Sequence, residues 1–421
     1  MEFDYEELSG KYRLRDFVEK PVDIADVLLV LMSMWLISGV VRSSQYAVGD
    51  ATALVINWGS FLLVFAAAIL ILSDIDRKKY LKAVAVIFFL VVMLTSVSGE
   101  DMRTQAEADI GAFSIYSANL TAQGENPYEH SMLPSIEMFD RVEKGTPLME
   151  GGYVGSLSYP SLSFLYLVPQ VAMGYQNLFF TAFLFVILAG FILVLAPKAE
   201  YSLLGGFAFH FFVNVLQFSP VEFTWLSMVL LSIWFWQPKR YLSLFFLGIS
   251  YAFKQIPWFT APFLFIWILK ENNSWKNGFT EVSKQFGFMT AIFLIPNLPF
   301  IIDNFSQWLE GVFTPLSSTG TLIQIGVGFS QLSLSLGYLP NRFFTLVMLL
   351  FTVCSMAVYW LYFEELKWAA WIMPSIILWF NYRSAGKYIL AMIPIMIFAY
   401  LVKNNHVIEI NWEKPKVIDI G

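Results

Sequence analysis

Residues 108–130 read ADIGAFSIYSANLTAQGENPYEH, a polar, acid-bearing run set into a chain that is otherwise mostly apolar. The apolar segment LKAVAVIFFLVVMLTSV, residues 81–97, ends shortly before it and predicts a membrane span. Asp109 therefore stands a few helical turns beyond a membrane exit, where a carboxylate stays solvated yet can meet a lipid-borne substrate. Asp109, Phe113, Tyr116 and Leu120 recur at helical spacing and predict one face of a short amphipathic helix near the bilayer surface. Gly124 and Asn126-Pro127 end that helix.

Working outward, the composition sets the solvent. With 57% hydrophobic and only 14% charged residues, and a mean hydropathy of +0.62, the chain cannot close as one water-soluble globule without exposing large apolar areas. The expected class is an all-α polytopic membrane protein. A net charge of -6, with no basic loop of useful size, excludes a nucleic-acid partner. The single cysteine, Cys354, lies in an apolar run and permits no intrachain disulfide. No cleavable signal peptide is expected, because the charged residues 1–23 lead into a retained span at 24–41.

Residues 1–23 hold Lys11, Arg13, Arg15 and Lys20, which predicts a cytoplasmic N-terminal tail. Spans at 24–41, 51–72 and 81–97 then place the loop 98–160 outside. That loop carries ten acidic residues against Arg103, Arg141 and Lys144, the bias of an external segment. The run 159–173 is too short to cross about 30 Å of hydrocarbon and predicts a re-entrant or interfacial segment. If it spanned instead, Lys239 and Arg240 would move outside and the charge bias would weaken. Further spans are expected at 176–196, 201–217, 222–236, 241–254, 256–270, 285–302, 341–361, 367–381 and 386–402. The whole is one membrane domain of twelve spans over 24–402, with a second external loop at 303–340 and a cytoplasmic C-terminal tail at 403–421.

The order of parts, Asp109, Tyr116 seven residues on, then Gly124-x-Asn126-Pro127-Tyr128, resembles the first external loop of the GT-C glycosyltransferases, which use polyprenyl-phosphate sugars. The nearest look is to the polyprenyl-phosphate-mannose-dependent group, glycosyltransferase family 87, and its archaeal relatives. The resemblance implies a GT-C-like fold and an inverting hexosyltransferase, with mannose favoured as the sugar. The donor would be a polyprenyl- or dolichyl-phosphate sugar, and the acceptor a hydroxyl on a glycan, glycolipid or protein. It also implies an extracytoplasmic active site in the cell membrane of a prokaryote.

Such a transfer needs a carboxylate to take the acceptor's proton. The resemblance aligns Asp109 with the family's catalytic Asp; read alone, Asp109 is equally a solvated acid charging a helix start. Glu100, Asp101 and His130 are the alternative bases or acids. Glu100, Asp101 and Asp109 together could hold a divalent cation through oxygen, although the family acts without one, so no metal or other cofactor is expected. The departing phosphate calls for cations, and four are candidates: Lys254, Arg342, Arg383 and Lys387. Lys254 lies between two apolar runs, where it either has an anionic partner or snorkels to the interface. Arg383 and Lys387 sit in NYRSAGKYIL, residues 381–390, which resembles the last external turn of GT-C enzymes. There Lys387 is a point charge where the family often has Arg or His. Tyr116, Asn126, Tyr128 and Tyr159 are the candidate sugar or acceptor contacts, the tyrosines otherwise being interfacial anchors. The glycine-rich part of the 303–340 loop is expected to cover the acceptor cleft. Two other classes compete. A secondary transporter would need ionisable groups near the midplane; a polysaccharide polymerase, ligase or lipid flippase would also need external cations.

Overall fold

A computed structural model describes Gly59, Leu62 and residues 77–97, 109–139, 145–149, 151–176, 178–215, 220–317, 323–333 and 339–408. The expected span 24–41, nearly all of 51–72, the N-terminal tail, most of the C-terminal tail, and Glu100 and Asp101 lie outside the described residues. In chain order the principal helices are α1 (Arg77–Val97), α2 (Asp109–Ala122), α3 (Leu162–Leu165), α4 (Val168–Ala172), α5 (Phe179–Leu195) and α6 (Ser202–Val215). They continue with α7 (Pro220–Phe235), α8 (Arg240–Phe253), α9 (Ala261–Lys270), α10 (Trp275–Asp303), α11 (Phe305–Ser317) and α12 (Asn341–Leu361). Last come α13 (Met373–Trp379), α14 (Gly386–Leu390) and α15 (Met392–Lys403).

Among the described residues three helical stretches are long and apolar enough to cross a bilayer: α10, α12 and the joined α14–α15. On α12 only one side packs inward, through Phe344, Met348 and Tyr359, while Leu346, Leu350, Val353 and Leu361 stand exposed. Such an apolar stripe is costly in water and suits lipid. The chain is thus a mostly helical membrane protein. The other apolar helices have 10–17 residues; fourteen residues of helix reach about 21 Å, short of about 30 Å of hydrocarbon.

The apolar pattern marks most helices closely, and α12 coincides with the expected 341–361. α10 begins ten residues earlier than the expected 285, because Ser274 caps it by accepting the Asn277 N–H at 3.3 Å. Its first turns carry Lys276, Glu281 and Lys284, so their polarity hid them from a hydropathy reading. The stretches expected at 256–270 and 367–381 open as tight 3-10 turns, Ile256–Thr260 and Lys367–Trp371, before α9 and α13. The 159–173 segment forms α3 and α4, broken at Tyr166 and Leu167, and neither piece is long enough to cross a membrane.

One expectation is corrected at α2. The helix is described over Asp109–Ala122, and just beyond it Gly124 adopts φ +83, a conformation only glycine takes without strain. It is not amphipathic. Ile110, Gly111, Ala112, Phe113, Ser114, Ile115, Ser117, Ala118 and Leu120 are all buried, because the segment 127–139, α3, α4 and the end of α10 enclose it. Each large side chain so enclosed stabilises the docking by about 1.5–3 kcal/mol.

The main core is built on the hairpin of α7 and α8, with α5 against α7, α10 against α8 and α1 against α6. Hydroxyls tie the hairpin together: Ser232 Oγ lies 2.8 Å from Ser243 Oγ, and Ser250 Oγ donates to Trp225 O at 3.0 Å. Asn297, fully buried on α10 between Pro296 and Pro299, joins the second core around α2 to the membrane helices. Its Oδ1 accepts from Ser161 N at 3.1 Å and from Trp308 Nε1 at 3.0 Å. Asn297→Leu would strand both donors in an apolar setting, each costing about 1–3 kcal/mol. A lowered midpoint of thermal unfolding in detergent is the expected result; a midpoint equal to the parent's would show that both donors find other partners.

Candidate active site

Four parts of the chain meet at one end of the helices. α2 reaches the pocket with Asp109; α8 ends there at Lys254; Arg383, before α14, and Lys387, in its first turn, line it too; and Glu222, in the first turn of α7, pairs with Lys254 and Lys387. The cavity they enclose has a volume of about 180 Å³. Asp109, Lys254, Arg383 and Lys387 supply its charged lining, while Phe113, Phe259, Tyr159 and Tyr388 supply aromatic walls.

Asp109 is held in place. Its Oδ1 accepts the Ile110 N–H at 2.8 Å, and its Oδ2 accepts the Thr146 hydroxyl. Thr146 in turn accepts from Arg383 Nη2 at 3.2 Å, so a threonine bridges the acid and the guanidinium. Thr146 sits on a small hairpin closed by the Pro147–Tyr153 bridge and by Val154 N donating to Thr146 O at 2.8 Å. Arg383 lies on a two-residue strand, β2 (Arg383–Ser384), parallel to β1 (Ile325–Gly326), with Ile325 opposite Arg383 and Gly326 opposite Ser384. Gly326 takes φ +153, and a Cβ there would run into Ser384, so only glycine lets the strap lie this close. The glycine-rich part of the 303–340 loop thus packs onto the strand that carries Arg383.

The acid at the start of α7 was not among the expected site residues. Glu222 is buried and pairs with Lys254 at 2.5 Å and with Lys387 at 3.5 Å, while Trp225 Nε1 donates to its other oxygen at 2.7 Å. A carboxylate in the first turn of α7 and an ammonium at the C-terminal end of α8 each suit the local helix dipole. The need of Lys254 for an anionic partner is met by Glu222. Its ammonium also lies 5.1 Å from the Tyr388 ring and 5.9 Å from the Tyr159 ring. The two lysines differ in access: the Lys254 side chain is 4% exposed, that of Lys387 32%.

Tyr159 faces the cavity. Enclosure in the protein, reinforced by the nearby Asp109 carboxylate, pushes its phenol well above the ordinary tyrosine range, so it serves as a hydrogen-bond donor and not as a base.

Of the remaining candidates, the structure does not bring the described ones into this pocket. His130 pairs with Glu125 at 3.1 Å on an exposed surface. Arg342 lies exposed at the start of α12 and does not line the cavity. Asn126 starts a 3-10 turn by accepting the Tyr128 N–H at 3.1 Å, and its amide donates to Asp303 Oδ2 at 2.7 Å. Tyr128 is buried, with its hydroxyl donating to Tyr159 O at 2.7 Å. Tyr116 packs beside the second core. Asn126 and Tyr128 shape the loop that presents Tyr159 and do not face the cavity. Among the described residues no group of three or more His, Cys, Asp or Glu is arranged to hold a metal ion. Comparison with family models, with curated proteins and with solved structures gives no match.

Proposed function

We propose that the chain is a membrane glycosyltransferase that moves a sugar from a polyprenyl-phosphate donor to an acceptor hydroxyl. The observation that carries the reading is the convergence of Asp109 with Lys254, Arg383 and Lys387 on one cavity. One acid and a cationic wall are what this transfer requires. Asp109 accepts the proton of the acceptor hydroxyl as its oxygen bonds to the anomeric carbon. The bond from that carbon to the phosphate oxygen breaks, and its electron pair leaves with the phosphate. A single displacement of this kind inverts the anomeric centre.

Arg383 and Lys387 face the departing phosphate, while Lys254, nearly enclosed and bound to Glu222, acts from behind them. Thr146 fixes the distance between base and guanidinium, and Tyr159 and Tyr388 offer ring faces and hydroxyls to a sugar. In this reading twelve spans carry the pocket at the extracytoplasmic side of a prokaryotic cell membrane, both tails are cytoplasmic, and mannose is the favoured sugar.

Lys387→Gln removes one charge-assisted contact, worth about 1.5–3 kcal/mol or roughly ten- to a hundredfold in donor KM. The acceptor KM should change much less. Competition by free polyprenyl phosphate checks this, since the variant should resist it; equal loss toward both substrates would remove Lys387 from the phosphate site. The Glu222–Lys254 pair is the one feature that favours a transporter, because buried ion pairs often mark translocation paths. Membranes containing the chain, given a polyprenyl-phosphate sugar labelled in the sugar, separate the two. A transferase releases polyprenyl phosphate and forms a glycoside; an intact donor would overturn the transferase reading.

A further inference from the structure

The transfer chemistry leaves Glu222 without a task, although its carboxylate touches two of the three cations that line the pocket. A wall built only to grip phosphate would bind more tightly without it. Counted at neutral pH, Lys254, Arg383 and Lys387 oppose Asp109 and Glu222, so one positive charge is left in surplus. A sugar joined to a lipid through a phosphodiester carries one negative charge. The lipid phosphomonoester left after transfer carries about -1.5 to -2 at pH 7.

On the glycosyl-transfer reading, we infer that Glu222 is a positioning and specificity-determining residue that matches the cationic wall to a singly charged phosphodiester. It binds Lys254 tightly at the cavity wall, leaves Lys387 the more open of the two, and keeps the surplus at one charge. Once Asp109 has passed the acceptor's proton to water, the phosphomonoester product finds less countercharge than it carries, which favours its departure. Without Glu222 the surplus rises to two, and product is held as its own charge demands.

The test is binding to the purified full chain in phosphatidylcholine nanodiscs at pH 7, with polyprenyl phosphate and polyprenyl-phosphate mannose as the two probes. Glu222→Gln keeps a hydrogen-bond acceptor for Lys254 and should raise the ratio of monoester to diester affinity about tenfold, one unscreened charge's worth at this range. The double variant Glu222→Gln with Lys254→Met loses the ion pair but restores the single surplus charge, and its ratio should return to the parent value. A purely structural role predicts the reverse, since the double variant dismantles the pair more fully. An unchanged ratio in Glu222→Gln, or an equal displacement in both variants, overturns the inference alone. A parent chain that binds neither lipid overturns the transferase reading and this inference with it.

Discussion

Replacing Asp109 by Asn is expected to leave a folded, inserted protein whose turnover falls by about 10²–10⁴-fold, the usual contribution of a positioned proton acceptor. The change is nearly isosteric. The Asn amide still suits a helix start, and the Thr146 hydroxyl can donate to its oxygen or turn to accept from its nitrogen. The local structure around Arg383 therefore has no reason to collapse. What disappears is a group that can carry the acceptor's proton, while the cationic wall and the sugar contacts stay in place. Donor binding should accordingly persist in Asp109→Asn, with the loss confined to kcat. Release of polyprenyl phosphate from labelled donor measures the effect, and the thermal midpoint controls for folding. Parent-like turnover would move the base to Glu100 or Asp101.

Glu222→Leu should be the most destabilising single change at the pocket. Glu222 and Lys254 are almost fully removed from solvent, with side chains 2% and 4% exposed. Taking away one partner of such a pair leaves an uncompensated buried charge and costs about 3–5 kcal/mol. The two sides are not equivalent. Lys254→Met should cost less, because Glu222 keeps Lys387 at 3.5 Å and the Trp225 N–H at 2.7 Å. Glu222→Leu, in contrast, strips Lys254 of its carboxylate. Replacing both at once is expected to recover most of the loss, since well-packed apolar groups often substitute for a buried ion pair. Unfolding midpoints of the three variants in one detergent decide this order. A Glu222→Leu variant as stable as the parent would mean that the ion pair adds nothing to the fold.

These two residues differ in how visible they were before folding. Asp109 stands out because a carboxylate beginning a helix-spaced run, just past an apolar segment, has few structural reasons to be there. Glu222 was missed because the apolar run after it was read only as a span and its first residue as the edge of that span. The signal was nevertheless present. Lys254 sits at the end of an apolar run, where an anionic partner is one of its two readings, and Pro238 lies midway between it and Glu222. Folding the chain at that turn lays position 222 beside position 254. Thr146 carried no such signal: a threonine in a polar loop is unremarkable until a hairpin carries it between Asp109 and Arg383.

By itself, the sequence determined the solvent of this protein and most of its helices, since apolar runs must satisfy their backbone internally and do so as helix. It also marked Lys254 as a residue that takes either an anionic partner or the interface, and placed Asp109 on a helix. Only the tertiary structure decided that α2 is mostly buried and not amphipathic, because the enclosing segments come from residues 127–139, from α3 and α4, and from α10. Only it decided which ionisable groups share a cavity. Asp109, Glu222, Lys254 and the Arg383–Lys387 turn lie far apart along the chain, and helical periodicity carries no information about contacts between helices.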